Sequence, residues 1–554
     1  MLNFVRKYLL EIVVFGLITA TLLICVAPSA TWMNTDSDGI HDVYAAKNLY
    51  LSHKTSMPLY LLVGNLFTRI PFGTDFWNLA LFSVFATVGA CIFIYLSIKE
   101  HLKDNPNSRY FALIGVLIYG GSALVISQSI IVETYSLVTM LGVGAYYFYL
   151  RKWWKRCALM LGLGLSVHLL AGIPLIVLFI ASKELRRIKP IAIVLACLLL
   201  YLYIPLSPIL FEQPDMWGNR TLGDMLRDLG GTYNSLFGSL AIYDLPKRLL
   251  DTIGLLVVSL ALALVPIVWY FRKNNIVRNP LFWLFISPIL MFIIGLPPQT
   301  YVYLMSTIAI GAIVAGIMLP RLHFRWSLAV LAVAVLLTIY NGIYFDIGRT
   351  LDPELSATKY YKDELEKVPD GQILMPYYGW EWAAIYPYNK ENDREIIPVC
   401  MDILTSDTYL NMIEEQGIKF EWYSTETDRL VRQSKIALSI VEMNDNVWTT
   451  KTTIPETYGA EVILAKGNEK LLYREPTEPP GQIHWKPSNP YDIITGAIEV
   501  SEWKFITMSN WNVGLFMVFG CIGLILNWVI FILPAKKKVK HETVTKGQDI
   551  TTEN

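Results

Sequence analysis

The chain has 554 residues, 54% of them hydrophobic and only 17% charged, against about 25% charge in an ordinary soluble protein. Its 46 basic and 46 acidic residues cancel to a net charge of zero, which excludes a strongly basic nucleic-acid binder and an acidic disordered chain. Six cysteines in this length exclude a disulfide scaffold.

A membrane-crossing helix needs about 20 apolar residues. Such runs fall at 9–28, 77–97, 110–127, 190–209, 250–271, 280–296, 300–319, 325–345 and 512–533. The stretch 134–150 is apolar too, though rich in Tyr and Phe. The first run is long for a signal peptide, and Ala27-Pro28-Ser29-Ala30-Thr31 is a weak cleavage signal. The run 157–181 suits one span, or two short helices meeting near His168. Loop charge arbitrates, because Lys and Arg collect on the cytoplasmic side of short loops. The basic loops are Arg6–Lys7, Lys99–Arg109, Arg151–Arg156, Lys183–Lys189, Arg272–Arg278, Arg321–Arg325 and Lys536–Lys540. Placing all of them on one side makes 157–181 leave and return. That yields about twelve membrane segments with both termini cytoplasmic. Short helices are tolerated where protein or water satisfies their backbone.

The expected fold class is an α-helical polytopic membrane protein with a small extracytoplasmic α/β domain. The division is a transmembrane domain 1–345, an α/β domain 346–511, a final span 512–533 and a cytoplasmic tail 534–554. Within 346–511, Gln372–Met375 and Ile396–Cys400 read as strands. Ser406–Gln416 and Thr427–Ile440 read as helices. No fixed-period repeat and no duplicated halves are visible. The outward segments are then 29–76, 210–249 and 346–511.

Candidate chemistry collects in those outward segments. The first holds Asp36, Asp38 and Asp42 within seven residues. Such a cluster is either a solvated polar loop or a general base beside apolar surface, where an Asp pKa rises. Paired Asp oxygens also suit a divalent metal. His53 and Lys54 precede Pro58, which fits the first turn of a short interfacial helix over Pro58–Ile70. They are a donor and a point charge for a phosphate, or plain surface residues. Glu133 lies between two apolar helices. At that depth an ionisable group faces a cavity or a partner, or it is a carboxylate favoured by a helix N-terminus. His168 either caps the break in 157–181 or faces the outer cavity. The second outer loop carries Trp217, Asn219 and Arg220. Trp217 suits a membrane-interface belt, and Asn219-Arg220-Thr221 matches a glycosylation acceptor in a secretory-pathway host. There is no P-loop, no zinc-type Cys/His spacing and no Gly-x-Ser-x-Gly elbow.

Taken in order, these motifs resemble the GT-C class of multi-pass glycosyltransferases. More narrowly, the chain resembles the transmembrane O-mannosyltransferase family that modifies plexin- and Met-type receptor domains, with its prokaryotic relatives. The family's Asp, its His-Pro-Pro-Gly-Tyr-Pro-Leu and its Glu-Val-Tyr/Phe-Ser-Leu fall on Asp38, on His53 to Leu59 and on Glu133-Thr134-Tyr135-Ser136-Leu137. Its Gly-Leu-Ser with a nearby His falls on Gly164-Leu165-Ser166 and His168. Its Trp-Gly loop falls on Met216 to Leu222, with Tyr233 at the place of a later Tyr. The likeness covers roughly 10–240. Lys54-Thr55-Ser56-Met57 replaces Pro-Pro-Gly-Tyr, Gly39-Ile40-His41 replaces Ser-Gly-Glu, and Asn219 replaces an Asp.

The resemblance implies an inverting transferase fed by a polyprenyl- or dolichyl-phosphate sugar, with a protein or glycan hydroxyl as acceptor. Its membrane would be the plasma membrane of a prokaryote or the ER of a eukaryote. Asp38 would be the base, with Asp36 beside it and Glu133 orienting the acceptor or holding the loop. His53, Lys54, His168, Trp217, Asn219, Arg220 and Tyr233 would bind donor or acceptor. It implies no cofactor, leaves a divalent metal optional and gives no role to nucleic acid. Two other readings remain: a transporter or flippase for a lipid-linked glycan, and a scaffold whose outer domain binds a partner. A transporter should show polar residues at helix midpoints and symmetric halves, whereas here the acidic residues cluster at helix ends.

Overall fold

A computed structural model describes residues 2–29, 39–52, 57–211, 223, 245–294, 302–322, 324–344, 365–366, 368–376, 379–425, 429–444, 447–449 and 472–473. The expected final span 512–533, the tail and most of the second outer segment lie outside the described residues.

The membrane domain is built of helices, in the order α1 (Leu2–Cys25), α2 (Gly39–Asn48), α3 (Pro58–Thr68), α4 (Asp75–His101), α5 (Ser108–Gly120) and α6 (Ala123–Ser129). There follow α7 (Tyr135–Leu150), α8 (Trp154–Leu165), α9 (Gly172–Ala181), α10 (Ile188–Leu198) and α11 (Tyr203–Phe211). The last are α12 (Leu245–Leu260), α13 (Leu264–Lys273), α14 (Pro280–Ile294), α15 (Leu304–Met318) and α16 (Phe324–Tyr344). Among the described residues, five stretches are long and apolar enough to cross a membrane, and a sixth if the bent pair α5–α6 is one span. The run 157–181 forms two helices, α8 and α9, with the break at Ser166–His168.

α15 is the axis of the bundle. It is apolar around its whole circumference, as an enclosed helix must be, and it packs on α4, α5, α7, α13 and α14. The helices come close where residues are small. Ile98 of α4 occupies the space that a Cβ would need at Gly115 of α5 and at Gly316 of α15. Nearer the N-terminus of α1, Glu11 accepts from the Tyr95 hydroxyl at 2.8 Å and pairs with Arg109. An acidic group on a spanning helix requires partners of this kind.

The described α/β part holds β1 (Ile373–Met375), α17 (Gly379–Asn392), β2 (Ile397–Pro398), α18 (Asp407–Glu415), α19 (Arg429–Met443), β3 (Val447–Thr449) and β4 (Leu472–Tyr473). The strands pair in parallel in the order β2-β1-β3-β4. Parallel strands need crossover connections, which α17 supplies between β1 and β2 and α18–α19 between β2 and β3. β1 is buried throughout, as its unbroken apolar run requires. The side chain of Asn389 extends the pairing, donating to Ile396 O at 2.7 Å and accepting from its N–H at 3.2 Å.

This domain closes on the membrane domain through α2. Gly39–Ala46 are all buried, between α3, α4 and α17. Tyr44 stacks on Tyr386 of α17 at 5.5 Å and meets the edge of Trp382 at 6.5 Å.

At the edge of the α/β domain, Arg394 pairs with Asp370 and reaches Val368 O. The guanidinium holds the Asp370 carboxyl below its ordinary range. A depressed carboxylate stabilises the fold above its unfolded pKa, and the contribution is lost as pH falls through the folded value. Asp370→Asn should therefore flatten the acid limb of the melting-temperature profile while leaving pH 7 to 8 nearly parallel to wild type. An unchanged acid limb would show that the pair carries no linkage.

Candidate functional site

Three helix breaks meet at one end of the bundle. The first is where α1 stops. Ala27 N–H donates to Ile130 O at 2.8 Å, and the Thr74 hydroxyl, capping α4, donates to Pro28 O. The residues that lead into the acidic loop are thus pinned to the start of α4 and to the 130–134 turn.

That turn is the second break. α5 and α6 bend by 66°, and the carbonyl of the buried Gly121 lies at the bend. Asn341 of α16 donates to it at 2.7 Å. Beyond α6, Ser83 Oγ donates to Glu133 O at 3.0 Å and accepts from Glu133 N–H at 3.3 Å. Thr87 joins the same lattice through Ser129 at 2.6 Å and Ser136 at 3.0 Å. Glu133 is only 9% exposed. Its Oε2 accepts from Thr134 N–H at 3.2 Å, just ahead of α7, where the helix dipole favours a carboxylate.

The third break joins α8 to α9. Leu59 N–H donates to Ser166 O at 3.2 Å, and the Tyr201 hydroxyl donates to Leu165 O at 2.8 Å. His168 caps the following turn, its Nδ1 accepting from Leu170 N–H at 3.0 Å. A neutral ring accepting at Nδ1 carries its proton on Nε2, so His168 is a hydrogen-bond donor on its far side. The sequence left open whether His168 caps the break or faces the site, and the geometry allows both.

Aromatic rings tie the breaks together. Tyr135, His168 and Tyr303 form a closed set with centroid distances of 5.5 Å, 5.6 Å and 5.6 Å. Glu133 stands two residues before Tyr135, in the turn that opens α7. Glu133 and His168 are therefore brought into one cluster. Asp36, Asp38, His53, Lys54, Trp217, Asn219, Arg220 and Tyr233 lie outside the described residues. Ser52 and Met57, which flank 53–56, are buried. Asp42, the third carboxylate of the acidic run, is 2% exposed on α2 beside His41 at 4%.

Tyr303 and Tyr44 were not singled out from the sequence. A Tyr beside an apolar helix reads as an interface residue, and only its neighbours in space mark it otherwise. Among the described residues there is no group of three His, Cys, Asp or Glu spaced to hold a metal.

Residues 42–189 match the family described as the protein O-mannosyl-transferase TMEM260 N-terminal domain. The match takes in both Glu133 and His168. In fold, the chain is similar to ArnT from Cupriavidus metallidurans, solved bound to undecaprenyl phosphate. The TM-score is 0.52 at 11% identity, over 74% of this chain and 89% of that one. The Archaeoglobus fulgidus oligosaccharyltransferase tethered with an acceptor peptide gives a TM-score of 0.44 at 11% identity, over 75% of this chain and 68% of that one. No curated protein matches the chain.

Ser83 holds both backbone groups of Glu133, so Ser83→Ala strips two buried bonds at once. The expected cost is about 1–3 kcal/mol, read as a lower melting temperature. Faster amide exchange at Glu133 should accompany it, and unchanged exchange there would mean that Ser83 does not hold the turn.

Proposed function

We propose that this chain, a multi-pass membrane glycosyltransferase of the GT-C class, moves a hexose from a polyprenyl- or dolichyl-phosphate carrier to a hydroxyl acceptor at the outer membrane face. Mannose is the first candidate sugar and protein Ser/Thr the first candidate acceptor. The observation that carries this reading is the gathering of Glu133, Tyr135, His168 and Tyr303 where α1 feeds the first outer loop. Three of those residues, Glu133, Tyr135 and His168, lie inside the stretch that matches an O-mannosyl-transferase domain, in the resembling motifs Glu-x-Tyr-Ser-Leu and Gly-Leu-Ser…His. The neighbour in fold was solved with undecaprenyl phosphate, and we take the same class of lipid as the donor's carrier.

In this reading Asp38 takes the proton of the acceptor hydroxyl as its oxygen attacks the anomeric carbon. The bond from that carbon to the phosphate oxygen breaks, and the lipid phosphate leaves with the electron pair. One displacement inverts the configuration. His168 offers its Nε2 proton, and His53 and Lys54 offer a donor and a charge, to the phosphate or the sugar. Glu133 orients the acceptor or holds the turn. Trp217, Asn219, Arg220 and Tyr233 complete the substrate pocket, with Asp36 a neighbour of the base. Because no nucleotide leaves, the scheme does not require a resident metal, and a divalent ion stays optional.

The decisive measurement is turnover of synthetic polyprenyl-phosphate sugars by the purified full chain. Asp38→Asn should lose about 10²–10⁴-fold in kcat, and Asp36→Asn much less. Full activity in Asp38→Asn would remove the base assignment. No turnover with any lipid-linked sugar, together with measured translocation of one, would replace the transferase reading by a transporter.

We place both termini in the cytoplasm, on the loop charges. A cysteine at position 356, introduced as Ser356→Cys with Cys400 replaced, should label from the outside only. Labelling from the cytoplasm would reverse the orientation.

A further inference from the structure

We propose that the loop Arg151–Arg156 is a docking site for the headgroup of an anionic phospholipid, on the membrane face opposite the candidate active site. Its position follows from α4. That helix has 27 residues, about 40 Å at 1.5 Å per residue, which is a bilayer thickness. Its first residue, Asp75, pairs with Lys47 of α2 at the outer end. At the other end Glu100 accepts from Arg151 at 2.7 Å.

The backbone builds a platform there. α7 ends with Trp153 N–H donating to Phe148 O at 2.9 Å and Lys152 N–H donating to Tyr149 O at 3.0 Å. This is the paired bonding of a Schellman stop, whose left-handed residue is usually Gly. Here it is Lys152, at φ +58°. The same motif brings together the side chains at its two ends, and Trp153 stacks on Phe148 at 5.9 Å. Arg151 and Arg156 both lie over the Trp153 ring, at 5.1 Å and 4.5 Å. Trp153 nevertheless stays 40% exposed.

Charge and shape then select the occupant. Glu100 matches Arg151. Lys152, Lys155 and Arg156 have no acidic partner within 4 Å among the described residues. With the two tryptophans, Lys155 and Arg156 line an open depression of about 280 Å³. Three unmatched cations beside an indole at headgroup depth suit a phosphate on a glycerol backbone. They select net negative charge, because a zwitterionic headgroup brings its own cation. The loop also closes the α7–α8 hairpin, whose open end carries Tyr135 and His168.

The test is native mass spectrometry of the purified full chain mixed with phosphatidylglycerol or phosphatidylcholine. Wild type should retain phosphatidylglycerol preferentially. Lys155→Gln with Arg156→Gln should lower that retention about 25-fold, at roughly fivefold per cation. Trp153→Ala should lower it too, and Trp153→Phe should restore part of it. The pair Arg272→Gln and Lys273→Gln removes the same charge from the end of α13 and should leave retention within about twofold. Melting temperatures of the variants separate lost binding from lost folding. Equal retention of both lipids by wild type overturns the proposal, as does an equal loss in the α13 pair. Displacement of phosphatidylglycerol by inorganic phosphate at matched concentration would reassign the depression to free phosphate.

Discussion

A helix that stops inside a bilayer leaves backbone donors and acceptors that water cannot reach, so the protein itself has to satisfy them. That constraint organises the end of the bundle where the three breaks meet. The α5–α6 bend is answered by Asn341, the 130–134 turn by Ser83 and Ala27, and the α8–α9 break by Leu59, Tyr201 and His168. All of these answers but that of His168, which bonds two residues on, come from a distant part of the chain. Satisfying the breaks therefore pulls α1, α3, α4, α10–α11 and α16 toward one region, and the candidate site is what they enclose. The polar side chains serve two purposes there, because groups that mend a backbone also supply hydrogen-bonding chemistry.

The loop between α1 and α2 is held from both of its described ends. On one side Ala27 and Pro28 are bonded to the 130–134 turn and the cap of α4. On the other, α2 is enclosed by α3, α4 and the α/β domain, with Asn65 capping its last carbonyls at 2.9 Å and 3.2 Å. Tyr44 sits against Trp382 and Tyr386 in that contact. A helix of ten residues would be marginal alone in water, and here its stability comes from burial. The α/β domain thereby contributes to the placing of the loop whose carboxylates we assign to catalysis.

Much was legible locally. Apolar runs long enough to span, the short Pro58 helix, and the two-helix nature of 157–181 follow from length, composition and loop charge. The strands at 373–375 and 397–398 and the helix α18 fall within the stretches read for them, and α19 starts inside its stretch and runs three residues past its end at Met443, because apolar runs and amphipathicity are properties of a few consecutive residues. Glu133 and His168 stood out because ionisable groups between apolar helices are rare. Tyr303 did not, since a Tyr beside an apolar helix carries no local signal of a site. Its role depends on Tyr135, more than 160 positions earlier.

By itself the sequence determined that this is a helical membrane protein, which segments are apolar enough to enter the bilayer, and where chargeable groups interrupt them. Those are consequences of hydrophobic transfer, which each short segment obeys independently. Only the tertiary structure decided that the three breaks converge, that α15 lies at the centre and that the sheet runs β2-β1-β3-β4. It alone decided that Glu133, Tyr135, His168 and Tyr303 share one cluster. Those outcomes rest on contacts between residues far apart in the chain, where packing density and the need to pair every buried polar group leave few arrangements open.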